Sequence, residues 1–167
     1  MLTMLLGGAR AGKSTLAERW GREHHGEVAV IATGEPFDDE MATRIERHRG
    51  DRPAGWRVIE EPVDLTGAIG AAPTDAFLIV DCLTTWLGNL TFRDLTVDPE
   101  PALEALAART GPAVVISNEV GWGIVPADPD TRAYRDALGR LNQRFVDAAD
   151  AAYLVVAGRV VRLEEAS

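Results

Sequence analysis

Eight consecutive residues near the amino end have the types and spacing of a loop that holds a polyphosphate: Gly7, Gly8, Ala9, Arg10, Ala11, Gly12, Lys13 and Ser14. The pattern G-x-x-x-x-G-K-S presents backbone N–H groups with little side chain in the way. Lys13 would reach the β- and γ-phosphates, and the Ser14 hydroxyl would ligate Mg2+. Such a loop needs a strand before it and a helix after it, because the free N–H groups of a helix start attract anions. Leu2 to Leu6 is a short apolar run that reads as a buried strand, and from Ser14 a helical pattern opens with Leu16 and Trp20 four apart. That context favours a phosphate site over a glycine-rich turn that binds nothing.

Other residues could complete the chemistry. Asp81 follows the apolar run Phe77 to Val80, where a carboxylate opposite Ser14 would hold Mg2+; the alternative is a helix N-cap. Cys82 stands where many ATP-driven motors carry a glutamate base, which favours transfer to a bound acceptor over hydrolysis. The thiol itself reads as a small packed side chain. Asp38 to Arg49 reads as an amphipathic helix with acids first and bases last, which suits the helix dipole. Met41, Ile45 and His48 share one face of it, with Arg44, Arg47, Arg49 and Arg52 around the histidine. Two readings of His48 stay open on spacing alone: a structural histidine near the helix end, or a neutral imidazole that attacks a nucleotide phosphate among arginines. His24 and His25 end the first helix and read as solvated or dipole-compensating groups outside the site.

These groups need a frame, and the apolar runs supply one. After the first strand come Val28 to Ala32, Phe77 to Val80, Ala113 to Ile116, Ala152 to Val156 and Val160 to Leu163. The first four runs of the chain are nearly unbroken, as in strands buried on both faces of a parallel sheet. The expectation is a single α/β domain over 1–167 with a P-loop NTPase-like, mostly parallel central sheet flanked by helices. A turn at Gly158 would close an antiparallel edge hairpin. Ligands in such sheets bind beyond the carboxyl ends of the strands, so Gly7 to Ser14, Thr33, Gly34, Glu35, Asp81 and Ser117 to Glu119 should share one rim. Glu119 to Pro126 is an unusually apolar loop that suits a lid, a ligand wall, an oligomer contact or plain core packing. Asp130 to Ala149 reads as the longest helix, with Arg132, Arg135, Asp136, Gly139, Asn142 and Gln143 near one stripe. Gly139 inside a helix suggests close approach to its backbone. Gly88 to Pro101 reads as an irregular surface excursion.

Bulk properties narrow the classes. The 167 residues suffice for one domain with a core. A net charge of −9 argues against a general nucleic-acid binder. One cysteine excludes an internal disulfide and fits a reducing compartment. No run approaches the roughly 18–20 apolar residues that span a bilayer, and no leader precedes the phosphate loop, so a cytoplasmic protein without membrane insertion is expected.

Taken together, these residues resemble the bifunctional adenosylcobinamide kinase/adenosylcobinamide-phosphate guanylyltransferase family of cobalamin biosynthesis. The resemblance is collinear and covers nearly the whole chain. It runs through Gly7 to Ser14, Ile31-Ala32-Thr33, Asp39-Glu40-Met41 with Arg44-Ile45 and His48-Arg49, then Arg52-Pro53 and Trp56. It continues through Asp81-Cys82-Leu83-Thr84, Asn118-Glu119-Val120-Gly121, Gly123 to Pro126, and Arg135-Asp136 with Gly139 and Asn142-Gln143. The resemblance implies phosphorylation of the aminopropanol hydroxyl of adenosylcobinamide by ATP or GTP. It then implies guanylylation of a histidine by GTP, and passage of the GMP to adenosylcobinamide phosphate to give adenosylcobinamide-GDP. The guanylylated histidine falls on His48. The nucleotide contacts fall on Gly7 to Ser14, Thr33, Gly34, Glu35, Arg49, Gly50, Asp51, Arg52, Glu60 and Asp81, with Ser14 and Asp81 on Mg2+. A homotrimer is also implied. An imidazole has an ordinary pKa of about 6.5 and nearby arginines lower it, so His48 is expected to be neutral at pH 7. Ala11 stands where the family usually has serine, and the stretch between Asn89 and Pro101 is short. Glu119 is by position a candidate base for the kinase step, and Trp86, Trp122 and the long helix are candidate corrinoid contacts. A kinase without guanylyl transfer, for which His48 is dispensable, and a nucleotide-gated interaction module are the rival readings.

Overall fold

A computed structural model describes residues 1–36, 39, 43, 46, 50 and 52–165. Its elements are β1 (Leu2–Leu6), α1 (Lys13–Glu23), β2 (Val28–Ala32), β3 (Arg57–Glu60), α2 (Leu65–Ala71), β4 (Phe77–Asp81), α3 (Leu83–Phe92), α4 (Glu100–Ala107), β5 (Ala113–Ile116), α5 (Pro129–Asp147), β6 (Ala151–Val156) and β7 (Arg159–Leu163). The strands form one sheet in the order β3-β2-β4-β5-β1-β6-β7. Every neighbouring pair is parallel except β6–β7, which is antiparallel. This is the P-loop NTPase-like sheet expected from the unbroken apolar runs, with the hairpin at its edge.

The central strands β1, β2, β4 and β5 are buried on both faces because both are covered. Alternate residues point to opposite sides. Met4, Ile31, Leu78, Val80 and Val115 meet Leu83, Leu87, Leu103, Leu138 and Phe145 from α3, α4 and α5. Leu5, Val28, Val30, Ile79, Val114 and Ile116 meet Ala17, Leu16 and Trp20 of α1. Each such side chain contributes about 1.5–3 kcal/mol when fully buried, so both faces of the sheet hold the helices in place.

Register decides what can work together. Glu60 pairs with Ala32, Ala32 with Asp81, Asp81 with Ile116, and Ile116 with Leu5. One row across five strands therefore brings Glu60 and Asp81 level with the end of β1, two residues before the glycine loop. The row continues through Tyr153 to Arg162 on the far side.

The structure corrects several expectations. β3 is a strand that the apolar pattern does not show: only Val58 and Ile59 are apolar, because an edge strand needs no continuous buried run. Gly88 to Phe92 belong to α3 rather than to an excursion, and Leu95 N–H caps that helix end by donating to the Leu90 carbonyl at 2.9 Å. Trp86 is a core residue: it is buried, and its indole N–H donates to the Val63 carbonyl at 2.7 Å. A Cβ on Gly139 would meet nothing within 4 Å among the described residues, so nothing there crowds the α5 backbone. The expected helix over Asp38 to Arg49 lies mostly outside the described residues, and so do Met41, Ile45 and His48. Of that stretch Asp39, Thr43 and Glu46 are described and helical, as is Gly50 just beyond it. Among the described residues, no helix is long and apolar enough to cross a membrane.

Candidate functional site

The glycine loop has the backbone its sequence calls for. Gly7 adopts φ 151° and Gly12 φ 101°, conformations open to glycine at little steric cost. A Cβ on Gly7 would lie 2.3 Å from the Val155 carbonyl oxygen, so only glycine fits against β6. Gly12 caps α1 without any side-chain hydrogen bond. The starts of α2 and α5 are each capped by an aspartate, Asp64 on Gly67 N–H and Asp128 on Thr131 N–H. The start of α1, like those of α3 and α4, has no side-chain cap, and its free N–H groups are of the kind that attract an anion. Lys13 is buried, and its ammonium donates to the carbonyls of Gly7 and Gly8 at 2.8 Å each. The charge is thus held inside the loop that would receive the phosphates.

Asp81 is the last residue of β4, and the N-cap of α3 is Cys82. The capping alternative for Asp81 therefore falls. The Arg52 guanidinium lies 3.9 Å from the Asp81 carboxylate, and both side chains are largely buried. Among the described residues, Arg52 Nε has no hydrogen-bond partner. Arg52 is delivered there by the turn that follows it. Trp56 donates its N–H to the Pro53 carbonyl at 3.1 Å, and its ring packs where a Cβ on Gly21 of α1 would stand. The carboxylate thus already faces a cation. A carboxylate with a hydroxyl from Ser14 is an oxygen donor set suited to Mg2+, which takes its remaining ligands from water and phosphate.

Thr33 follows β2 and is fully buried. Its hydroxyl donates to the Cys82 carbonyl at 2.8 Å, accepts from Cys82 N–H at 2.9 Å and touches the Thr85 hydroxyl. Its N–H donates to the Asp81 carbonyl, and its carbonyl accepts from the Asn89 amide at 2.7 Å. Thr33 thus acts on Asp81 and Cys82 from behind. The Glu35 carboxylate is held by the Arg93 guanidinium at 2.7 and 2.9 Å. Glu60 is exposed at the end of β3, and Gly50 is exposed and helical. His48, Arg49 and Asp51 lie outside the described residues.

The Cys82 thiol is pushed above its ordinary value by burial first and by the Asp81 charge second. It stays protonated, as suits a packed side chain. Tyr134 is pushed up to about 12, chiefly by burial, and its hydroxyl donates to the Thr84 carbonyl at 2.7 Å.

On the other side of Asp81, the residues after β5 are tied to three elements. Asn118 N–H donates to the Thr84 hydroxyl at 2.8 Å, and the Asn142 amide of α5 donates to the Asn118 carbonyl at 3.0 Å. Glu119 N–H donates to the Gly7 carbonyl at 3.1 Å, which sets Glu119 beside the glycine loop. Beyond it, Val120, Trp122, Ile124 and Val125 are exposed, Ile124 almost completely, which excludes core packing for them. The polar stripe of α5 divides: Asn142 is buried, whereas Arg135 pairs with its neighbour Asp136 at the surface.

Sequence reasoning missed Asn89 and Arg93. Asn89 is buried in the apolar helix α3 and bonds the carbonyls of Thr33 and Pro62. A lone amide among Trp86, Leu87 and Leu90 is the signal that could have found it, since a buried amide needs partners. Arg93 carried no such signal, because only the fold brings it to Glu35.

Residues 3–163 match the family model described as cobinamide kinase / cobinamide phosphate guanyltransferase. The bifunctional adenosylcobalamin biosynthesis protein CobP of Pseudomonas aeruginosa is 42% identical over 163 residues, covering 95% of this chain and 94% of that protein. The bifunctional adenosylcobalamin biosynthesis protein CobU of Salmonella typhimurium is 38% identical over 183 residues, covering 98% of this chain and all of that protein. Among solved structures, a prototypical ATPase from the type III secretion system of pathogenic bacteria is similar in fold, with TM-score 0.54 and 14% identity. That similarity covers 92% of this chain and 50% of the ATPase.

Proposed function

From the premise that this chain belongs to the cobinamide kinase / cobinamide phosphate guanyltransferase family, we propose how its residues divide the two reactions in cobalamin biosynthesis. One domain, residues 1–167, carries both. The observation that carries the reading is the Arg52–Asp81 ion pair at the end of β4, level in register with the end of β1, whose following loop holds the buried Lys13 ammonium.

In the kinase step the substrate is adenosylcobinamide and the donor is ATP or GTP. The N–H groups of Gly7 to Ser14 bind the phosphates, and Lys13 exchanges its contacts with the loop carbonyls for β- and γ-phosphate oxygens. Ser14 and Asp81 would hold Mg2+, which when bound neutralises charge between the β- and γ-phosphates. The substrate hydroxyl oxygen bonds to the γ-phosphorus, the bond to the bridging oxygen breaks, and the nucleoside diphosphate leaves. Glu119, tied by its N–H to Gly7, takes the hydroxyl proton.

In the guanylyltransferase step a neutral ring nitrogen of His48 bonds to the α-phosphorus of GTP and pyrophosphate leaves. A phosphate oxygen of adenosylcobinamide phosphate then takes the GMP, the N–P bond breaks, and adenosylcobinamide-GDP is released. Arg49, Gly50, Asp51, Arg52, Gly34, Glu35 and Glu60 surround the guanine nucleotide, and Thr33 braces Asp81 and Cys82 behind them. The protein acts in the cytoplasm without nucleic acid. It works as a homotrimer, for which the exposed Trp122, Ile124 and Val125 offer contact area.

The test is incubation with GTP radiolabelled at the α-phosphorus, followed by denaturing electrophoresis. Wild type should carry an acid-labile, alkali-stable label that His48→Ala lacks. A folded wild type that binds GTP and stays unlabelled overturns the covalent step.

A further inference from the structure

We propose that the β6–β7 hairpin, residues 156–162, is the platform for the ribose and base of the kinase-step nucleoside triphosphate. This rests on the kinase reading above and adds a site to it. The argument begins with direction. The β/γ end of the triphosphate is set by Lys13, Ser14 and Asp81. Asp81 ends β4, which is separated from β1 by β5 alone, so the γ end points toward that side of the sheet. The nucleoside hangs from the α-phosphate at the opposite end. On the opposite side of β1 the sheet continues as β6 and β7, each step about 4.8 Å. A nucleoside leaving the loop away from Asp81 therefore arrives over the hairpin.

The hairpin is built into the loop. Gly158 N–H donates to the Ala11 carbonyl at 2.8 Å. A Cβ on Gly12 would lie 3.3 Å from Gly158 Cα, and one on Gly7 would lie 2.3 Å from the Val155 carbonyl oxygen. The turn itself is tight. Ala157 and Gly158 have φ 50° and 71°, and Val156 pairs with Arg159 across them, which makes a two-residue turn of the primed type. Whatever extends past Ala11 and Gly12 on this side meets a fixed edge.

The exposed chemistry suits a nucleoside. Val160 shares a sheet face with Val155 and Tyr153, the α1 side, and is 46% exposed. Arg162 lies on the same face in register with Tyr153, and Arg159 flanks the turn. Arg159 projects to the opposite face, so the shelf is edged by the Arg162 guanidinium alone; a small apolar surface beside one guanidinium can take a flat heteroaromatic ring and its ribose. β7 is also the edge of the sheet: among the described residues no strand pairs with its outer side. Its outward N–H and C=O groups are available to the hydrogen-bonding edge of a base.

The Thr33, Glu35 and Glu60 rim lies on the other side of β1, over β2 and β3. The two nucleosides would thus use opposite sides of one phosphate loop.

Two measurements decide this. Photo-crosslinking of wild type with 8-azido-ATP and Mg2+, followed by peptide mapping, should label 156–162; label on 33–36 or 57–61 instead overturns the proposal. Calorimetric binding of ATP and of inorganic tripolyphosphate is then compared for wild type and Val160→Glu, a change at an exposed position. ATP binding should weaken about tenfold or more while tripolyphosphate binding holds. Equal ATP affinity in the two proteins overturns the proposal. The crosslink map needs no variant, so a Val160→Glu protein that fails to fold leaves it decisive. Neither readout needs turnover. A wild type that labels at the hairpin but transfers no phosphoryl group would sink the kinase reading and leave the site standing.

Discussion

Replacing Thr33 with valine keeps the shape of a fully buried side chain and deletes one hydroxyl. That hydroxyl accepts from Cys82 N–H at 2.9 Å and donates to the Cys82 carbonyl at 2.8 Å. The carbonyl keeps a partner in the Thr85 hydroxyl at 3.1 Å, whereas the N–H keeps none of these. An unsatisfied N–H removed from water costs about 1–3 kcal/mol. The expected loss is therefore about 2 kcal/mol, or about 4–8 °C in Tm for a chain of this size. Urea and thermal unfolding followed by circular dichroism at fixed protein concentration measure it. Thr33→Ser keeps the hydroxyl and loses a methyl, which costs about 1 kcal/mol. Because Cys82 follows Asp81, Mg2+-nucleotide affinity should also fall in the valine variant and hold in the serine variant. A valine variant within about 0.5 kcal/mol of wild type, or a serine variant as damaged as the valine one, would refute the reasoning.

Three further outcomes follow from the same geometry. Gly7→Ala forces a Cβ onto the Val155 carbonyl and should lower stability by about 2 kcal/mol or more. Gly8→Ala meets nothing within 4 Å and should melt like wild type. Cys82, held protonated by burial and by Asp81, should resist iodoacetamide at pH 8 in the folded protein and react readily in urea, as read by mass spectrometry; rapid native alkylation would contradict its placement. Asp128 accepts from Thr131 N–H and hydroxyl, which lowers its pKa below the ordinary 3.8. Its stabilisation of α5 is present above the unfolded value and is lost as pH falls through the lower folded one. The difference in urea midpoint between wild type and Asp128→Ala should therefore be clear at neutral pH and close in strong acid.

The elements that could be read from the residues are those whose physics is local. Leu2 to Leu6, Val28 to Ala32, Phe77 to Val80 and Ala113 to Ile116 are nearly unbroken apolar runs because parallel strands are covered on both faces. Gly7 to Ser14 announce a loop because only that spacing frees backbone N–H groups beside a lysine. β3 escaped the same reading because it lies at a sheet edge, where Arg57 and Glu60 can stand in solvent. Trp86 looked like a ligand contact as long as only its size was known; its burial against Val63 came from how α3 packs.

What the sequence by itself determined is the chemistry on offer: a phosphate loop, an aspartate at a strand end, a histidine among arginines, and the family they resemble. Strand order and register decided which of these groups stand together. Asp81 faces the loop across a single intervening strand, Arg52 reaches it through a turn anchored on α1, and Glu35 is held by Arg93, 58 positions away. The same order put the β6–β7 hairpin against the loop on its other side. Pairings between residues so far apart in the chain leave no periodic trace, because they arise only when distant apolar faces bury one another.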